Sequence, residues 1–434
     1  MTTAEVKLWG TRIGAVHWDA ERALGAFEYS QEFLRSGIQV APLHMPLATT
    51  IYSFPALNRA TFHGLPGMLA DVLPDRFGNA LIDAWLASQG RTANSFNPVE
   101  RLCYSGSRGM GALEFAPALS PSRNRSTPLD VAALVELAGR VLQDRNALSG
   151  SFVDGEEADT VRDILRVGTS AGGARAKAVI AWNPSSGEIR SGDADHLAGF
   201  EHWLIKFDGV QNNRDRELAD PLGFGRIEFA YSQMAAAAGI KMAPCRLLNE
   251  NGRSHFMTKR FDRTNDGSKL HLQSLGGIAH FDFNMAGAYS YEQALLVMQQ
   301  LNMPMAEREQ QFRRAVFNLV ARNQDDHVKN IAFLMDKRGR WALSPAFDVT
   351  YSYNPSGAWT SRHQMSLNQK RSDFSCADLR ACAKVASLRR NAWREVLDEV
   401  LDAVRQWPNF ASQAGVDDES MQNIAASHRL HWPD

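Results

Sequence analysis

Short alternating runs of apolar and polar residues open the chain and predict β-strands. These runs lie at residues 6–9, 13–16, 25–29 and 50–54. Gly10–Arg12 separates the first two runs and predicts a hairpin turn. Further along, apolar residues recur at helical spacing across 77–86 and predict a helix. The pattern therefore predicts a compact α+β module over residues 1–118.

A change in composition marks the end of this module. Residues 119–129 contain three serines and two prolines without apolar periodicity, so they predict a linker or an exposed loop. Asp130 follows as the expected N-cap of an amphipathic helix that ends near Gln143.

The rest of the chain first mixes strands with helices and then becomes mainly helical. We predict strands at 178–182 and 203–207, a helix at 226–238, and hairpins at 245–259 and 331–343. This order predicts a mixed small lobe over residues 130–262 and a mainly helical large lobe over residues 263–434. The outline is typical of two-lobed nucleotide-binding enzymes, but an outline alone defines no activity.

Composition and charge narrow the class of protein. The 434 residues include 47 Lys or Arg and 48 Asp or Glu, which gives a net charge of -1. That balance argues against a polybasic nucleic-acid coat protein. The four cysteines form no CxxC pair, which argues against a zinc site or a disulfide framework. No stretch approaches the roughly 18 apolar residues that span a bilayer, so we expect a soluble, cytoplasmic protein without a membrane partner.

The sharpest chemical signal is the polar stretch Asn323–Asn330, between a predicted helix and the 331–343 hairpin. Within it, Asp325 precedes Asn330 by five positions, and Asp348 follows the hairpin. Phosphotransferases of the protein-kinase type need this order, because one Asp accepts the proton of the attacking hydroxyl while an Asn and a second Asp hold Mg²⁺. The pattern therefore predicts a phosphotransferase.

Two other interpretations of this stretch stay open. A loop rich in Asp, His and Asn is often only a solvated turn. Alternatively, Asp325, Asp326 and His327 could bind zinc or iron in a hydrolase. The hydrolase lacks a second histidine at useful spacing, so the phosphotransferase interpretation is favoured.

Two upstream elements fit a phosphate-binding small lobe. Val167–Lys177 is rich in glycine and precedes a strand, so its backbone N–H groups can approach phosphates, although it is not a Walker A loop. Lys206 lies in the apolar strand 203–207, as the phosphate-pairing lysine of a kinase does. Glu228 on the 226–238 helix is its candidate partner. The alternatives are an ordinary turn, an edge-strand lysine and a solvent-facing glutamate.

Together these elements resemble the HipA family of bacterial serine/threonine kinases, the toxins of type II toxin–antitoxin modules. Leu73–Arg76 and Gly109–Leu113 are similar to that family's N-terminal module, and Arg260–Arg263 to the segment after its adenine-binding hinge. Ser170–Lys177 resembles its phosphate loop. Asn323–Asn330 fills each fixed position of its catalytic pattern Asn-x-Asp-x-His-x-Lys-Asn. The resemblance implies a two-lobed protein-kinase-like fold behind an N-terminal α+β module.

The resemblance also implies a role for each matching residue. Asp325 would be the catalytic base, and Asn330 and Asp348 would be the Mg²⁺ ligands. The cofactor ATP would be bound by residues of the phosphate loop, the hinge and the catalytic loop, namely Ser170, Ala171, Gly172, Gly173, Lys177, Lys206, Lys259, Arg260, Phe261, His327, Lys329 and Phe347.

Ser170 matches the family's autophosphorylated serine, whose modification expels the phosphate loop. A phosphate there would add a charge of about -1.5 to -2 beside the phosphates of ATP. Thr169 is the competing acceptor. The chain departs from the family pattern at Arg175–Ala176, so we assign no contact to those two side chains.

Partners are implied by the resemblance alone. They are a small helix-turn-helix antitoxin of the HipB type, DNA reached only through that antitoxin, and a protein substrate such as an aminoacyl-tRNA synthetase. The N-terminal module is expected to be a docking surface. The opposing function is a non-catalytic, kinase-like scaffold that binds an antitoxin–DNA complex as a co-repressor. Such a scaffold would be expected to have lost the set formed by Asp325, Asn330 and Asp348.

Basic residues near the C-terminus give no independent sign of DNA binding. We expect Arg389, Arg390 and Arg394 on an amphipathic helix, as a solvated face rather than a DNA footprint.

Overall fold

The computed structural model describes residues 3–119, 128–143, 163–169, 175–192, 198–210 and 222–434. The predicted phosphate-binding residues Ser170–Gly173 therefore lie outside the described residues. Within the described part of the chain, no helix is long and apolar enough to cross a membrane.

The N-terminal module is built on an antiparallel sheet with the strand order β3-β2-β1-β4. Its strands are β1 (Thr3–Leu8), β2 (Thr11–Asp19), β3 (Leu24–Tyr29) and β4 (Leu113–Ala116). Every second side chain of β1 is buried, as a sheet with one covered face requires. The predicted strand at 50–54 is wrong, because a single bridge from Tyr52 to Phe27 is all that forms there.

Within residues 3–119 the module also contains five α-helices, one of which is longer than the others and packs partly against later segments of the chain. The helices are α1 (Gln31–Leu34), α2 (Arg59–Phe62), α3 (Gly67–Ala70), α4 (Arg76–Ser88) and α5 (Pro98–Ser105). Phe77 and Leu81 of α4 share an apolar core with Val135 and Ile205, which lie beyond residue 118. Packing therefore crosses the predicted end of the module.

The next lobe is a five-stranded antiparallel sheet with the order β6-β5-β7-β9-β8. Its strands are β5 (Lys177–Trp182), β6 (Ile189–Ser191), β7 (Glu201–Lys206), β8 (Cys245–Glu250) and β9 (Arg253–Lys259). The accompanying helices are α6 (Val131–Gln143), α7 (163–168) and α8 (Phe224–Ala237). Asn251 and Gly252, with φ of 44° and 78°, turn the chain between β8 and β9. Two positive φ angles are what a two-residue hairpin favours, so the predicted hairpin is confirmed.

The remaining lobe is mainly helical around a small sheet, β10-β11-β12. Its strands are β10 (His271–Ser274), β11 (Ala332–Met335) and β12 (Trp341–Leu343). Its helices are α9 (Leu275–Ala279), α10 (Tyr291–Gln300), α11 (Met305–Val320), α12 (Cys376–Val385), α13 (Ala392–Arg405), α14 (Trp407–Ala414) and α15 (Asp418–Ser427). Arg394 lies on α13 as expected, but Arg389 and Arg390 precede it, so their placement on that helix was wrong.

The N-terminal module contacts the large lobe where α3 meets α9. A Cβ on Gly67 would lie 2.2 Å from the carbonyl oxygen of Gly277, so the two backbones touch. Beside them, the carboxylate of Asp71 accepts hydrogen bonds from the backbone N–H of Ser274 at 2.6 Å and from its hydroxyl at 2.7 Å. We call this contact the α3–α9 seam. It has room for no larger residue at either glycine.

A second contact joins the module to the chain that follows β9. Asp262 is fully buried, pairs with Arg260 and Arg263 at 2.7 and 2.8 Å, and accepts the backbone N–H of Gly111 at 2.6 Å. Burial alone would raise the pKa of Asp262, but the two guanidinium groups hold it well below its usual range. The glycine-rich stretch predicted to belong to the module is thereby fixed to the segment after β9.

The seam generates a test of stability. We expect Gly67→Ala to lower the free energy of unfolding by about 1–3 kcal/mol, because the new methyl group would force the two backbones apart. The matched control is Gly139→Ala inside α6, where an added Cβ meets no atom within 4 Å. That change should stabilise the protein by about 0.5–1 kcal/mol, since alanine is the better helix former. Urea unfolding measures both, and equal effects would contradict the close approach at the seam.

Candidate active site

The predicted catalytic stretch lies between α11 and β11. It leaves α11 as an extended loop and closes with a short 3₁₀ turn over Val328–Asn330. Val328 is buried and lies 3.4 Å from the position of a Cβ on Gly276, in α9. The helix α9, one of the two helices of the α3–α9 seam, therefore also packs against this loop.

Asp325 is the accessible carboxylate of this loop. Its side chain is 36% exposed, and one oxygen, Oδ1, accepts a hydrogen bond of 2.7 Å from the indole N–H of Trp359. The imidazole of His327 lies 3.9 Å from the same oxygen. An indole is a neutral donor, so it orients the carboxylate without cancelling its charge. Asp325 can therefore accept a proton.

Asn330 is oriented by the loop itself. Its side-chain amide donates to the carbonyl oxygen of Asp325 at 2.8 Å, so the amide oxygen points away from that bond. Asp348 follows β12 with φ of 51°, a left-handed conformation that is unusual for a residue with a side chain. An amide oxygen and a carboxylate are hard ligands of the kind Mg²⁺ prefers. The donor set fits that ion.

Lys206 joins the two lobes. Its ammonium lies 2.5 Å from Oε1 of Glu228 on α8 and also pairs directly with Asp348. Lys206 and Glu228 are buried, with side chains 9% and 1% exposed, whereas Asp348 is 31% exposed. Burial would lower the pKa of Lys206, but the two carboxylates raise it above its usual value. Burial would likewise raise the pKa of Asp348, yet Lys206 and Lys177 lower it to about 2. Lys206 and Asp348 are therefore charged at neutral pH.

Lys177 lies directly opposite Lys206 in the pairing of β5 with β7. Its ammonium is buried, 3.4 Å from the carboxylate of Asp75, which also caps α4. Burial raises the pKa of Asp75 to about 6, with Lys177 opposing that shift. Arg175 contacts Glu228 at 3.6 Å, and its guanidinium stacks on the ring of Phe224. Lys177 and Arg175, at the described end of the predicted phosphate loop, thus place two cations beside the carboxylates of Asp75 and Glu228.

The three predicted hinge residues, Lys259, Arg260 and Phe261, each contact different neighbours. Phe261 and Phe347 form an aromatic pair with ring centroids 5.5 Å apart, next to Asp348. Lys259 pairs with Glu201 at 2.7 Å. Arg260 is buried, and its guanidinium bonds to Asp262 and to the N-terminal module. Arg260 was predicted to contact ATP, but its side chain serves the contact between domains.

Hinge backbone donors were expected to meet adenine. The backbone N–H groups of Lys259 and Arg260 already donate to the carbonyl oxygens of Pro244 and His202, at 2.8 and 2.9 Å. These two donors are therefore committed within the protein. The aromatic pair of Phe261 and Phe347 is a feature of this segment that a flat base could contact.

The arrangement in which Asp325, Asp326 and His327 would together bind the metal ion of a hydrolase is not formed. Asp326 turns its carboxylate into the interior, where it accepts hydrogen bonds from Tyr291, His363 and Gln364. His327 and Lys329 both lie against the ring of Phe283, at 5.7 and 5.0 Å. Among the described residues, no group of three or more His, Cys, Asp or Glu side chains is arranged to hold a metal ion.

Sequence reasoning missed three contributors to the site. Trp359 donates to Asp325, Asp75 pairs with Lys177, and Asp326 anchors the loop from inside. The Leu73–Arg76 motif was a signal for Asp75, but nothing local in the sequence marks Trp359 as a neighbour of a loop 34 positions earlier.

Comparison with known proteins identifies the family to which the chain belongs. The chain matches two family models, "HipA N-terminal domain" over residues 4–116 and "HipA-like C-terminal domain" over residues 169–407. The "Putative kinase Y4mE" of Sinorhizobium fredii is 27% identical over 126 residues, which are 27% of this chain and 30% of that protein. A "Putative kinase" of Haemophilus influenzae is 29% identical over 101 residues, 21% of this chain and 29% of that protein. The matches thus span less than a third of either curated relative.

A solved structure shares the fold over nearly the whole chain. It is the HipA chain of a Shewanella oneidensis toxin–antitoxin complex of HipA, HipB and operator DNA, with a TM-score of 0.68 and 18% identity. The match covers 98% of this chain and 94% of that one. The mixed α+β architecture of HipA is therefore present here.

The charge cluster around Lys206 yields a second test. We expect Lys206→Met to lower the free energy of unfolding at pH 7 by about 3 kcal/mol, because it removes the nearer of the two cations beside the buried carboxylate of Glu228. The matched control is Lys259→Met on the paired strand β9, whose ion pair with Glu201 is 29% and 33% exposed. The control should cost less than about 1 kcal/mol.

The Lys206→Met variant also predicts how the free energy of unfolding depends on pH. The pKa of Asp348 is about 2 in the folded protein, below the ordinary 3.8. Its ionised form therefore stabilises the wild type above about pH 4, and this contribution is lost as the pH falls towards 2. The difference between wild type and Lys206→Met should shrink over that interval. A difference that stays constant with pH would contradict the pairing.

Proposed function

Because the chain belongs to the HipA family, we propose that it is a protein serine/threonine kinase that uses Mg²⁺ and ATP. The observation that carries this proposal is the charge cluster in which Lys206 pairs with both Glu228 and Asp348, while His327, 3.9 Å from Asp325, is near enough to Asp348 to lower its pKa. A kinase-like scaffold without activity has no need to keep a buried lysine between two carboxylates beside an accessible third one. Removing those charges from water is costly, and a functional requirement accounts for it.

Asp325 is the proposed base. Trp359 holds its Oδ1, so the carboxylate keeps a defined orientation while Oδ2 receives the proton of the acceptor hydroxyl. General-base assistance of this kind contributes about 10²–10⁴-fold to the rate. The acceptor oxygen then bonds to the γ-phosphorus as the bond from that phosphorus to ADP breaks, and the proton ends on Asp325.

Asn330 and Asp348 are the residues that would hold Mg²⁺. Bound there, the ion neutralises charge on the phosphate oxygens during transfer. Lys206 supplies a further positive charge to the phosphates, and Glu228 keeps its ammonium from turning away. The described residues Lys177 and Arg175 add cations at the end of the phosphate loop.

Autophosphorylation is proposed at Ser170. The competing hydroxyl of Thr169 is buried and donates to the carbonyl oxygen of Leu165 at 2.9 Å. A hydroxyl in that position must break its bond and leave the interior before it can attack. This commitment of Thr169 supports Ser170 as the acceptor.

Partners follow the family in the same proposal. The Shewanella HipA forms a complex with HipB and operator DNA. We therefore propose a small helix-turn-helix antitoxin of the HipB type as the partner of this chain, with DNA contacted through that antitoxin. A net charge of -1 fits an indirect contact, because direct binding to DNA usually needs a basic surface. The proposed substrate is a protein serine, with aminoacyl-tRNA synthetases as the first class to test.

The kinase proposal has a direct experiment. Purified protein incubated with Mg²⁺ and ATP labelled on its γ-phosphate should become labelled, and Asp325→Asn should abolish the labelling. Asp398→Asn is the matched control, since Asp398 is 61% exposed on α13 and far from the loop in sequence. The control should label as the wild type does. Equal labelling of the Asp325 variant would refute the mechanism, and no labelling of any form would favour the non-catalytic scaffold.

The acceptor site is tested by two substitutions. Ser170→Ala should remove the incorporated phosphate, whereas Thr169→Val, which loses only a buried hydroxyl, should retain it. Peptide mapping by mass spectrometry identifies the modified residue. Phosphate found on Thr169 in the Ser170→Ala protein, at the wild-type level, would overturn the assignment.

A further inference from the structure

Two adjacent aspartates of the catalytic loop face opposite environments. Asp325 is accessible, whereas Asp326 is buried and accepts hydrogen bonds on both oxygens. The hydroxyl of Tyr291 and Nδ1 of His363 lie 2.6 and 2.8 Å from Oδ2, and the backbone N–H of Gln364 lies 2.7 Å from Oδ1. Burial would raise the pKa of Asp326, but His363 and these donors lower it. Asp326 is therefore an ionised anchor of the loop.

The proton on His363 is set by a residue on its other side. Nη1 of Arg429 lies 2.9 Å from Nε2 of His363. A guanidinium can only donate, so Nε2 must carry the lone pair and Nδ1 must carry the proton. That tautomer is the one that donates to Asp326. Burial and the nearby Arg429 both lower the pKa of His363, which is thus neutral.

Arg429 is itself fixed in place. It lies in the segment after α15, where its backbone N–H donates to Val320 at 2.9 Å and its Nη1 also donates to Leu319 at 3.0 Å. Both acceptors are at the end of α11, immediately before the catalytic loop. Arg429 therefore bonds to the end of the helix that leads into the loop and, through His363, to Asp326 within it.

One short segment connects the two aspartates. Trp359 donates to Asp325, while His363 and Gln364 donate to Asp326. The side-chain amide of Gln364 also donates to the carbonyl oxygen of Trp359, which closes the segment on itself. A shift of His363 would therefore move both the anchor and the donor that orients Asp325.

We propose that Arg429 and His363 are positioning residues which, through Asp326, hold the catalytic loop in the conformation that presents Asp325 to the acceptor hydroxyl. This inference rests on the proposed kinase function and extends it to the segment after α15. Neither residue touches the cleft, so the predicted defect is one of orientation. A displacement of about 1 Å in a catalytic group can lower turnover by about 10²-fold.

Two substitutions at His363 separate positioning from packing. Asparagine places an N–H donor where Nδ1 was, so His363→Asn should keep the bond to Asp326. Glutamine places its amide where Nε2 was, so His363→Gln should keep the contact with Arg429 and lose the donor to Asp326. We expect kcat to fall less than about threefold in the Asn variant and about 10–100-fold in the Gln variant, with the KM for ATP unchanged in both. A loss of kcat that is equal in the two variants would overturn the proposal.

Arg429 is tested in the same background. Arg429→Met should lower kcat in the wild type, where His363 is then able to change its tautomer. In the His363→Asn protein it should lower kcat by a smaller factor, since an amide has no tautomer to set, although the bond to Leu319 is still lost. This non-additivity distinguishes control of the proton from simple packing. Equal losses in both backgrounds would contradict it.

A measurement independent of catalysis separates this inference from the kinase proposal. Hydrogen exchange of the backbone amides over residues 321–330 should be as slow in His363→Asn as in the wild type, and faster in His363→Gln. If no form transfers phosphate, the kinase proposal fails, and the exchange rates still decide whether His363 holds the loop. Unchanged protection in the Gln variant would refute the positioning role.

Discussion

The ammonium group of Lys206 links the two lobes, because it pairs at once with Glu228 of the small lobe and Asp348 of the large lobe. Each of these charges alone would be costly to remove from water, so the position of each depends on the other two. Arg175 adds a second cation 3.6 Å from Glu228, which leaves two positive and two negative charges in the cluster. In the proposed kinase, phosphates would compete with these carboxylates for the same cations, and a divalent ion on Asp348 would relieve that competition.

The N-terminal module takes part in the same construction. It was expected to be a docking surface, yet three of its residues form hydrogen bonds or ion pairs with segments of the chain beyond residue 118. Asp71 holds the start of α9 beneath the catalytic loop, Asp75 pairs with Lys177, and Gly111 donates to Asp262 after the hinge. The module therefore supports the cleft in addition to any surface that it offers to partners.

Local patterns predicted those parts of the fold whose causes are local. The hairpin at Asn251–Gly252 and the helix ended by Gly239 follow from residues that favour positive φ, and both were predicted at nearly the observed bounds. The strand expected at 50–54 fails because an apolar run says nothing about which neighbour will pair with it. Glu228 was proposed as the partner of Lys206 from its place on the 226–238 helix and the likeness to a kinase small lobe. Trp359 was missed because its contact with Asp325 depends on how distant segments pack.

Asp325 and Asp326 show why the chemistry of a site is harder to predict than its motif. They are the same residue type at adjacent positions, and the spacing to Asn330 selects Asp325 without saying what environment either carboxylate occupies. The difference comes from partners 34 to 38 positions along the chain: one indole for Asp325, and an imidazole and a backbone N–H for Asp326. The state of that imidazole depends in turn on Arg429, a further 66 positions away. The motif therefore singles out Asp325, and long-range hydrogen bonds account for the accessibility of that carboxylate and the burial of its neighbour.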